Sequence, residues 1–496
     1  MIAARRLANG FVRLPILAFA IVALFSPVAV RAAAGDAPRR PNIIIIVSDD
    51  QGYGDIGVHG CRDIPTPHID SLARNGVRCT NGYVSGPYCS PTRAGLLTGR
   101  YQQRFGHEFN PGPATDANEA KGLSLDEHTL PQRLKAAGYA TGMVGKWHLG
   151  HVEHFHPLRR GFDEYFGFLG GAHPYNSNQR GNDPILRGTE PVEKVEYLTD
   201  AFGREAVEFI DRHQSKPFFL YLPFNAVHGP MNAAERFRER FAGIEDEKRR
   251  TYATMLTAMD DAIGLVLAKL RDAGLEERTL IFFHSDNGGP EQANASDNGP
   301  LRAGKATTWE GGIRVPFLAQ WKGTLPAAKV FNEPVIQLDI APTVLAAVGV
   351  EVKPEWKLDG VNLLPHFTGK TDSPPHDVLY WRFGAQWAIR SGDWKLVKGR
   401  ETGPAEQPLR RGKPDLSDGQ LYNLREDIGE QNNVAEKYPD RVKELQAAWL
   451  RWNSELKPPA WGVPDRVQPP AEKAARKKST AKSKGKPHDT NQANKA

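Results

Sequence analysis

The sequence predicts an α/β fold in which a large mixed, mostly parallel sheet is flanked by helices, followed by a smaller C-terminal antiparallel sheet and helix. Three observations carry that expectation. Ile43 to Val47 is an unbroken aliphatic run, the pattern of a strand buried on both faces. Apolar strand-like and amphipathic helix-like segments then alternate along most of the chain. From about Pro374 the pattern changes to short aromatic pieces, Trp387 to Arg390 and Trp394 to Val397, as in a small antiparallel sheet.

The elements follow in order. A helix is expected around Ile69 to Arg74, stopped by Gly76, and another from Ser90-Pro91, a capping residue followed by a helix-opening proline. Leu130 to Ala137 reads as a helix closed by Gly138, and Tyr139 to Val144 as a strand. Ala201 to His213 is helical and Phe218 to Phe224 extended. Tyr252 to Ala273 carries Leu, Met and Ile at helical spacing and ends at Gly274. Thr279 to His284 and Val315 to Trp321 read as strands, Asp339 to Val348 as a helix closed by Gly349, and Pro439 to Leu456 as a final helix. There are no internal repeats. The expected organisation is a signal peptide (1–34), a catalytic domain (38–373), a C-terminal subdomain (374–463) and a basic tail (464–496).

The first segment has arginines, then the apolar stretch Leu14 to Val30 broken by Pro15 and Pro27, then Ala32-Ala33-Ala34. It reads as a cleavable export signal rather than an anchor, because the run is short for a span and ends in small residues. No transmembrane anchor is expected after cleavage, and the place of work is the periplasm or outside. The net charge of +6 suggests nucleic acid or membrane, but its distribution removes that suggestion. Arg5, Arg6, Arg13 and Arg31 precede the mature start. The tail from Pro464 has nine Lys or Arg against Asp465, Glu472 and Asp489, a surplus of six. The body is left at −4, so no nucleic-acid partner is expected. Beyond Pro458 the chain is rich in Pro, Lys and Ala, a composition that builds no core and reads as disordered. Hydrophobic residues at 40% and charged residues at 25% are otherwise ordinary globular values and select no special class.

In open α/β sheets ligands gather beyond the carboxyl ends of the strands, so the residues there test function. Asp49 and Asp50 follow the first strand, Lys146 and His148 the one ending at Val144, His228 the one ending at Phe224, and Asp286 and Asn287 the one ending at His284. One aspartate at a strand end is usually a cap or turn former. Asp49, Asp50, Asp286 and Asn287 together form two sets of hard oxygen donors, suited to calcium or magnesium rather than zinc. Cys89 sits at a helix start, where free N–H groups favour an anion, and it is one of only three cysteines. The alternatives for it are a reactive thiol, a disulfide partner and a packed thiol.

Cys89-Ser90-Pro91-Thr92-Arg93, followed by Gly95-Leu96-Leu97-Thr98-Gly99, closely resembles the formylglycine motif of type I sulfatases, an arylsulfatase-like family of the alkaline phosphatase superfamily. The remaining motifs agree in order. Asp49 to Asp55 looks like the family's metal segment, Gly145 to Gly150 like its second motif and Val227 to Pro230 like its third. Ser285 to Gly289 matches the fourth, and Leu301 to Lys305 precedes Glu310 to Pro316. The likeness runs from about Pro41 to Leu456. One departure is visible: the first of two glycines usual before the fifth motif's lysine is Ala303, which makes the placement of Lys305 the point to check.

The resemblance implies a sulfuric ester hydrolase in which Cys89 is oxidised to an aldehyde by a formylglycine-generating maturation system. It implies one calcium ion held by Asp49, Asp50, Asp286 and Asn287, with the hydrate at position 89 and a sulfate oxygen completing the shell. His228, with Lys305, would protonate the leaving alcohol, His148 would take the proton that releases sulfate, and Arg93 and Lys146 would orient the hydrate. The substrate is expected to be a sulfated carbohydrate. The alternatives are a phosphate or phosphonate ester hydrolase of the same superfamily and a non-catalytic secreted glycan-binding protein.

If Cys89 is consumed, Cys61 and Cys79 remain, either bridged across a loop of about twenty residues or as two free thiols. The Gly-, His- and aromatic-rich stretch from Arg104 to Tyr175 is a candidate sugar subsite. Within it His107, His154, His156 and His173 are pocket residues or ordinary loop histidines, with His173 expected to touch the sugar. Glu310 is expected to fix its Gly-rich loop. Trp381, Trp387 and Trp394 read as core of the small sheet, with sugar stacking as the alternative.

Overall fold

Ile43 to Val47 lie at the centre of a ten-stranded sheet. The computed structural model describes residues 40–113, 115–181, 183–400 and 415–462; the expected signal peptide and the tail from 464 lie outside the described residues. In chain order the strands are β1 (Asn42–Ser48), β2 (Val77–Cys79), β3 (Ala140–Lys146), β4 (Glu164–Phe168), β5 (Leu186–Arg187), β6 (Glu190–Pro191), β7 (Phe218–Pro223), β8 (Thr279–Ser285), β9 (Phe317–Gln320) and β10 (Lys329–Phe331). Their order in space is β10-β2-β9-β8-β1-β7-β3-β4-β5-β6. The five strands from β8 to β4 are mutually parallel, while β9 and β5 pair antiparallel at either side.

Parallel strands need crossovers, and the helices that make them cover both faces. Ile44 and Ile46 point into a core shared with α1 (Pro67–Arg74), α4 (Leu198–His213) and α5 (Glu247–Asp272). Ile43, Ile45 and Val47 point the other way, toward α2 (Cys89–Thr98), α3 (Leu130–Ala136) and α6 (Ile340–Ala347). All five β1 residues are fully buried, and each such aliphatic side chain contributes about 1.5–3 kcal/mol. Local chemistry sets the helix ends. Thr129 and Gln132 form a reciprocal capping box at α3. Asp246 accepts the Arg249 N–H at 2.7 Å and starts α5 one turn before the first large apolar residue, Tyr252.

The C-terminal sheet is an antiparallel meander, β11 (Val378–Phe383), β12 (Gln386–Ser391), β13 (Trp394–Lys398) and β14 (Gln420–Asn423), covered by α7 (Pro439–Ser454). Trp381 and Trp387 are buried against Trp449 and Trp452 of α7, and Trp394 lies against Tyr438; all three belong to this core. Lys395 of β13 is buried with its Nζ 2.9 Å from both Glu310 and Glu430, and Glu310 also accepts from Tyr83 at 2.6 Å. This network fastens the small sheet to the Gly-rich segment that follows Lys305, in keeping with the structural role expected of Glu310.

Cys61 and Cys79 are both free, so the bridge is not formed. Cys79 is buried on β2 between β9 and β10, while the partly exposed Cys61 Sγ lies 3.3 Å from Asp63 Oδ1. No helix among the described residues is long and apolar enough to cross a membrane.

Candidate active site

Four adjacent strands, β8, β1, β7 and β3, run in the same direction, so the residues after their carboxyl ends share one rim. That topology brings together Asp286 and Asn287, Asp49 and Asp50, His228, and Lys146 and His148. Helix α2 supplies Cys89 and Arg93 from one side, and the loop before Glu310 supplies Lys305 from another. The ten expected site residues therefore meet, although sequence separations exceed 230 residues for the Asp50–Asp286 contact.

Cys89 is the first residue of α2, two positions before the proline that the sequence pattern places there. Ser90 is consequently not the cap. Its hydroxyl bonds the His148 carbonyl at 2.6 Å and His107 Nε2 at 2.6 Å, while its N–H is held by Asn110 Oδ1 at 3.1 Å. These contacts fix the helix end against the β3 loop. Cys89 Sγ lies 3.8 Å from Asp49 Oδ1. Burial pushes its thiol up to about 12, against the pull of Lys146 and Lys305, so the unmodified group stays protonated at neutral pH.

Each carboxylate has a cationic partner. Arg93 is wholly buried; its Nη2 and Nε reach Asp286 Oδ2 at 2.7 and 3.2 Å, and Nη1 donates to the Lys146 carbonyl at 3.3 Å. Lys146 Nζ bonds Asp49 Oδ2, and Lys305 Nζ bonds Asp50 Oδ2 at 2.7 Å. Asp286 is held well below the usual carboxylate range, because the nearby Arg93, Lys146 and Lys305 outweigh its burial. Asp50 is also lowered, burial being overcome by Lys305 and His228. Asp49 rises to about 7 through burial and the neighbouring Asp286, opposed by Lys146 and Arg93. Three carboxylates against three cations make a neutral cluster.

His228 Nδ1 bonds the Gly229 carbonyl at 2.5 Å, which turns Nε2 toward Asp50 Oδ2, 3.5 Å away. Burial and Lys305 depress its basicity to about 3. His148 is also held well below the usual imidazole range, by burial and by Lys146 and Arg93, and its buried Nδ1 has no partner. Gly171 presses on this ring: a Cβ there would sit 2.5 Å from His148 Nε2. Ala303 adopts a φ of +58°, a left-handed conformation that a methyl group disfavours, yet Lys305 still reaches Asp50.

The site opens into a cavity of about 830 Å³ whose wall includes His148, His228, Lys305, Tyr88, Asn110, Gly171, Arg180 and Asp183. Its walls come partly from the expected Arg104 to Tyr175 region, but not from His107, His154, His156 or His173. His173 is a correction: it is 1% exposed, with its Nδ1 2.9 Å from the Pro174 carbonyl and its ring against Phe168. His107 supports Ser90, His156 accepts the Leu158 N–H, and His154 packs on Phe155. Tyr88, Arg180 and Asp183 were not singled out by sequence, since nothing in their spacing marks them.

The family model for sulfatases matches residues 41–350, which contain every one of these site residues. The chain belongs to the sulfatase family. This sulfatase is 37% identical over 385 residues to the N-acetylgalactosamine-6-sulfatase of Sus scrofa, covering 72% of each chain. It is 34% identical over 476 residues to arylsulfatase A of Bos taurus, covering 86% of this chain and 89% of that one. Among solved structures, Ps i-CgsB in complex with k-i-k-neocarrahexaose superimposes with a TM-score of 0.77 at 34% identity, over 89% of this chain and 98% of the other. The sulfatase is accordingly a sulfuric ester hydrolase with the mixed sheet and C-terminal meander of its structural neighbours.

Proposed function

We propose that this sulfatase hydrolyses sulfate monoesters of carbohydrates with a formylglycine made from Cys89 and one bound calcium ion. The observation that carries the reading is the position of Cys89. It opens a buried helix, 3.8 Å from an Asp49 oxygen, in a neutral cluster of three carboxylates and three cations at a cavity edge. A thiol pushed up in basicity by burial is poorly suited to attack. The same position suits an aldehyde hydrate flanked by cationic side chains.

The donor set fits calcium. Single ligand atoms of Asp49, Asp50, Cys89 and His228 lie within 4.8 Å of one another, and Asn287 Oδ1 is buried with no hydrogen-bond partner. Asp49, Asp50, Asp286 and Asn287 would hold the ion through hard oxygens. When bound there, calcium would supply Lewis acidity toward the sulfate ester. As a hydrated aldehyde, residue 89 supplies one hydroxyl for attack at sulfur and a second whose deprotonation releases sulfate.

The remaining work falls to this chain's side chains. Arg93 and Lys146 orient residue 89 and offset charge developing on oxygen. Lys305 Nζ faces the cavity and delivers a proton to the departing alkoxide, which leaves poorly without one. His228, whose Nδ1–H is spent on the Gly229 carbonyl, shares that role only when its Nε2 is protonated. His148, held neutral by burial and by the cations around it, accepts the proton from the second hydroxyl. The relatives named N-acetylgalactosamine-6-sulfatase and the neighbour solved with k-i-k-neocarrahexaose support a saccharide substrate. Residues 1–34 support export, and a formylglycine-generating system is the partner that maturation requires.

Parallel turnover assays test the reading. Enzyme produced with that maturation system should release sulfate from sulfated saccharides, lose this activity on calcium chelation and recover it on calcium addition. Turnover of phosphate or phosphonate esters with none of any sulfated saccharide would overturn it.

A further inference from the structure

The cavity carries a cation for which the proposed chemistry has no use. Gln179–Arg180 and Asp183–Pro184 pair as a short antiparallel ladder, and Arg180 lines the same cavity as His148, His228 and Lys305. Unlike Lys305, it lies on the exposed rim rather than in the carboxylate cluster. Asp183 builds this ladder into the wall. Its carboxylate accepts the Leu169 N–H at 3.0 Å and the Gly170 N–H at 2.9 Å. Gly170 is pressed so close that a Cβ there would lie 2.2 Å from Asp183 Oδ2. Both oxygens of Asp183 are thus occupied by main chain. Arg180 is held by a bond from Nη1 to the Ala172 carbonyl. Among the described residues no carboxylate lies within ion-pair distance of its guanidinium, and its other N–H donors have no partner.

A guanidinium anchored at the edge of an anion-binding cavity, with most of its donors free, matches a second oxyanion in geometry and charge. We propose that Arg180 is a specificity-determining residue. It reads a further anionic group on the saccharide, a second sulfate ester or a uronate carboxylate, while the scissile sulfate sits at residue 89. The substrate class is then a multiply charged saccharide. This rests on the carbohydrate sulfatase reading above and narrows it.

The test uses matured enzyme and three saccharides that share one scissile sulfate. One carries no other anion, one a second sulfate and one a neighbouring carboxylate. The wild-type enzyme should favour at least one dianionic saccharide in kcat/KM, and the favoured one names the anion. Arg180→Gln should lower the ratio of favoured to singly charged substrate by on the order of tenfold, mainly through KM, as expected for losing a charged hydrogen bond. Arg180→Lys should restore part of the ratio. A wild-type enzyme indifferent to the second anion, or a ratio unchanged in Arg180→Gln, would overturn the proposal while leaving the sulfatase reading intact. A wild-type enzyme inactive on all three would instead bring down the carbohydrate reading itself.

Discussion

At position 303 a methyl group occupies backbone space that glycine fills more easily. Ala303 has a φ of +58°, and its carbonyl is held by Asn298 Nδ2 at 3.0 Å, so the conformation is imposed by the loop. Gly304 beside it allows no side chain at all, since a Cβ would lie 2.2 Å from the Gly289 carbonyl. Ala303→Gly should therefore stabilise the protein by about 0.5–1 kcal/mol, the relieved strain outweighing the added freedom of the unfolded chain. Urea unfolding checks this; a variant less stable than the parent would show that the methyl is packed rather than strained. The departure was legible in sequence, and so were the strand-end residues, because aspartates, lysines and histidines after aliphatic runs stand out from their surroundings. Arg180 was not. It lies in a polar stretch with no period, and only the ladder with Asp183 brings it to the cavity. His173 misled for the converse reason: a histidine among glycines and aromatics looks like a pocket residue until its ring is seen turned onto Phe168.

Among the elements, long strands and amphipathic helices were readable because burial imposes a period on them. β2, β5, β6 and β10 have two or three residues each, too few to show any alternation, and owe their strand geometry to the neighbours they pair with. The polar first turn of α5 was hidden for a similar reason, since its start is set by the Asp246 cap rather than by apolar spacing. The segment before α6 depends on a titratable contact. Asp339 accepts the Ile336 and Val361 N–H groups at 2.8 and 2.9 Å, and His376 Nε2 lies 2.8 Å from its Oδ1. Burial disfavours a charged His376, but the Asp339 carboxylate, helped by Asp377, overrides this and raises the imidazole above its ordinary 6.5. A group with a raised folded-state value binds its proton more tightly in the native protein. Its contribution is full below about 6.5 and is lost as pH rises through the folded value. The stability advantage of the parent over His376→Gln should be largest near pH 6 and shrink toward pH 9, measured by thermal unfolding across that range. A difference independent of pH would mean that His376 acts only as a neutral hydrogen-bonding group.

For the whole molecule, charge is divided rather than spread. The tail from Pro464 has a surplus of six positive charges and supplies no site residue, while every group of the proposed chemistry lies in the described body. Removing residues 464–496 should leave the melting temperature and the turnover of small sulfate esters unchanged. It should also make the protein elute from a polyanionic resin at lower salt. An earlier melt, or unchanged elution, would contradict this division of labour. The fold was legible at this scale because alternating buried strands and helices leave few topologies open. The state of the cysteines was not, since the free Cys61 and Cys79 pack into the cores on opposite faces of the sheet, which no spacing rule relates.

The proposed chemistry depends on the chemical identity of residue 89. Mass spectrometry of the peptide spanning Cys89 to Arg93, taken from an active preparation, tests it directly. The predicted result is an aldehyde in place of the thiol-bearing carbon at 89, with activity rising in proportion to the converted fraction and absent from Cys89→Ser made in a host that modifies only cysteine. A fully active preparation with an unmodified thiol at 89, or an active serine variant in that host, would contradict it.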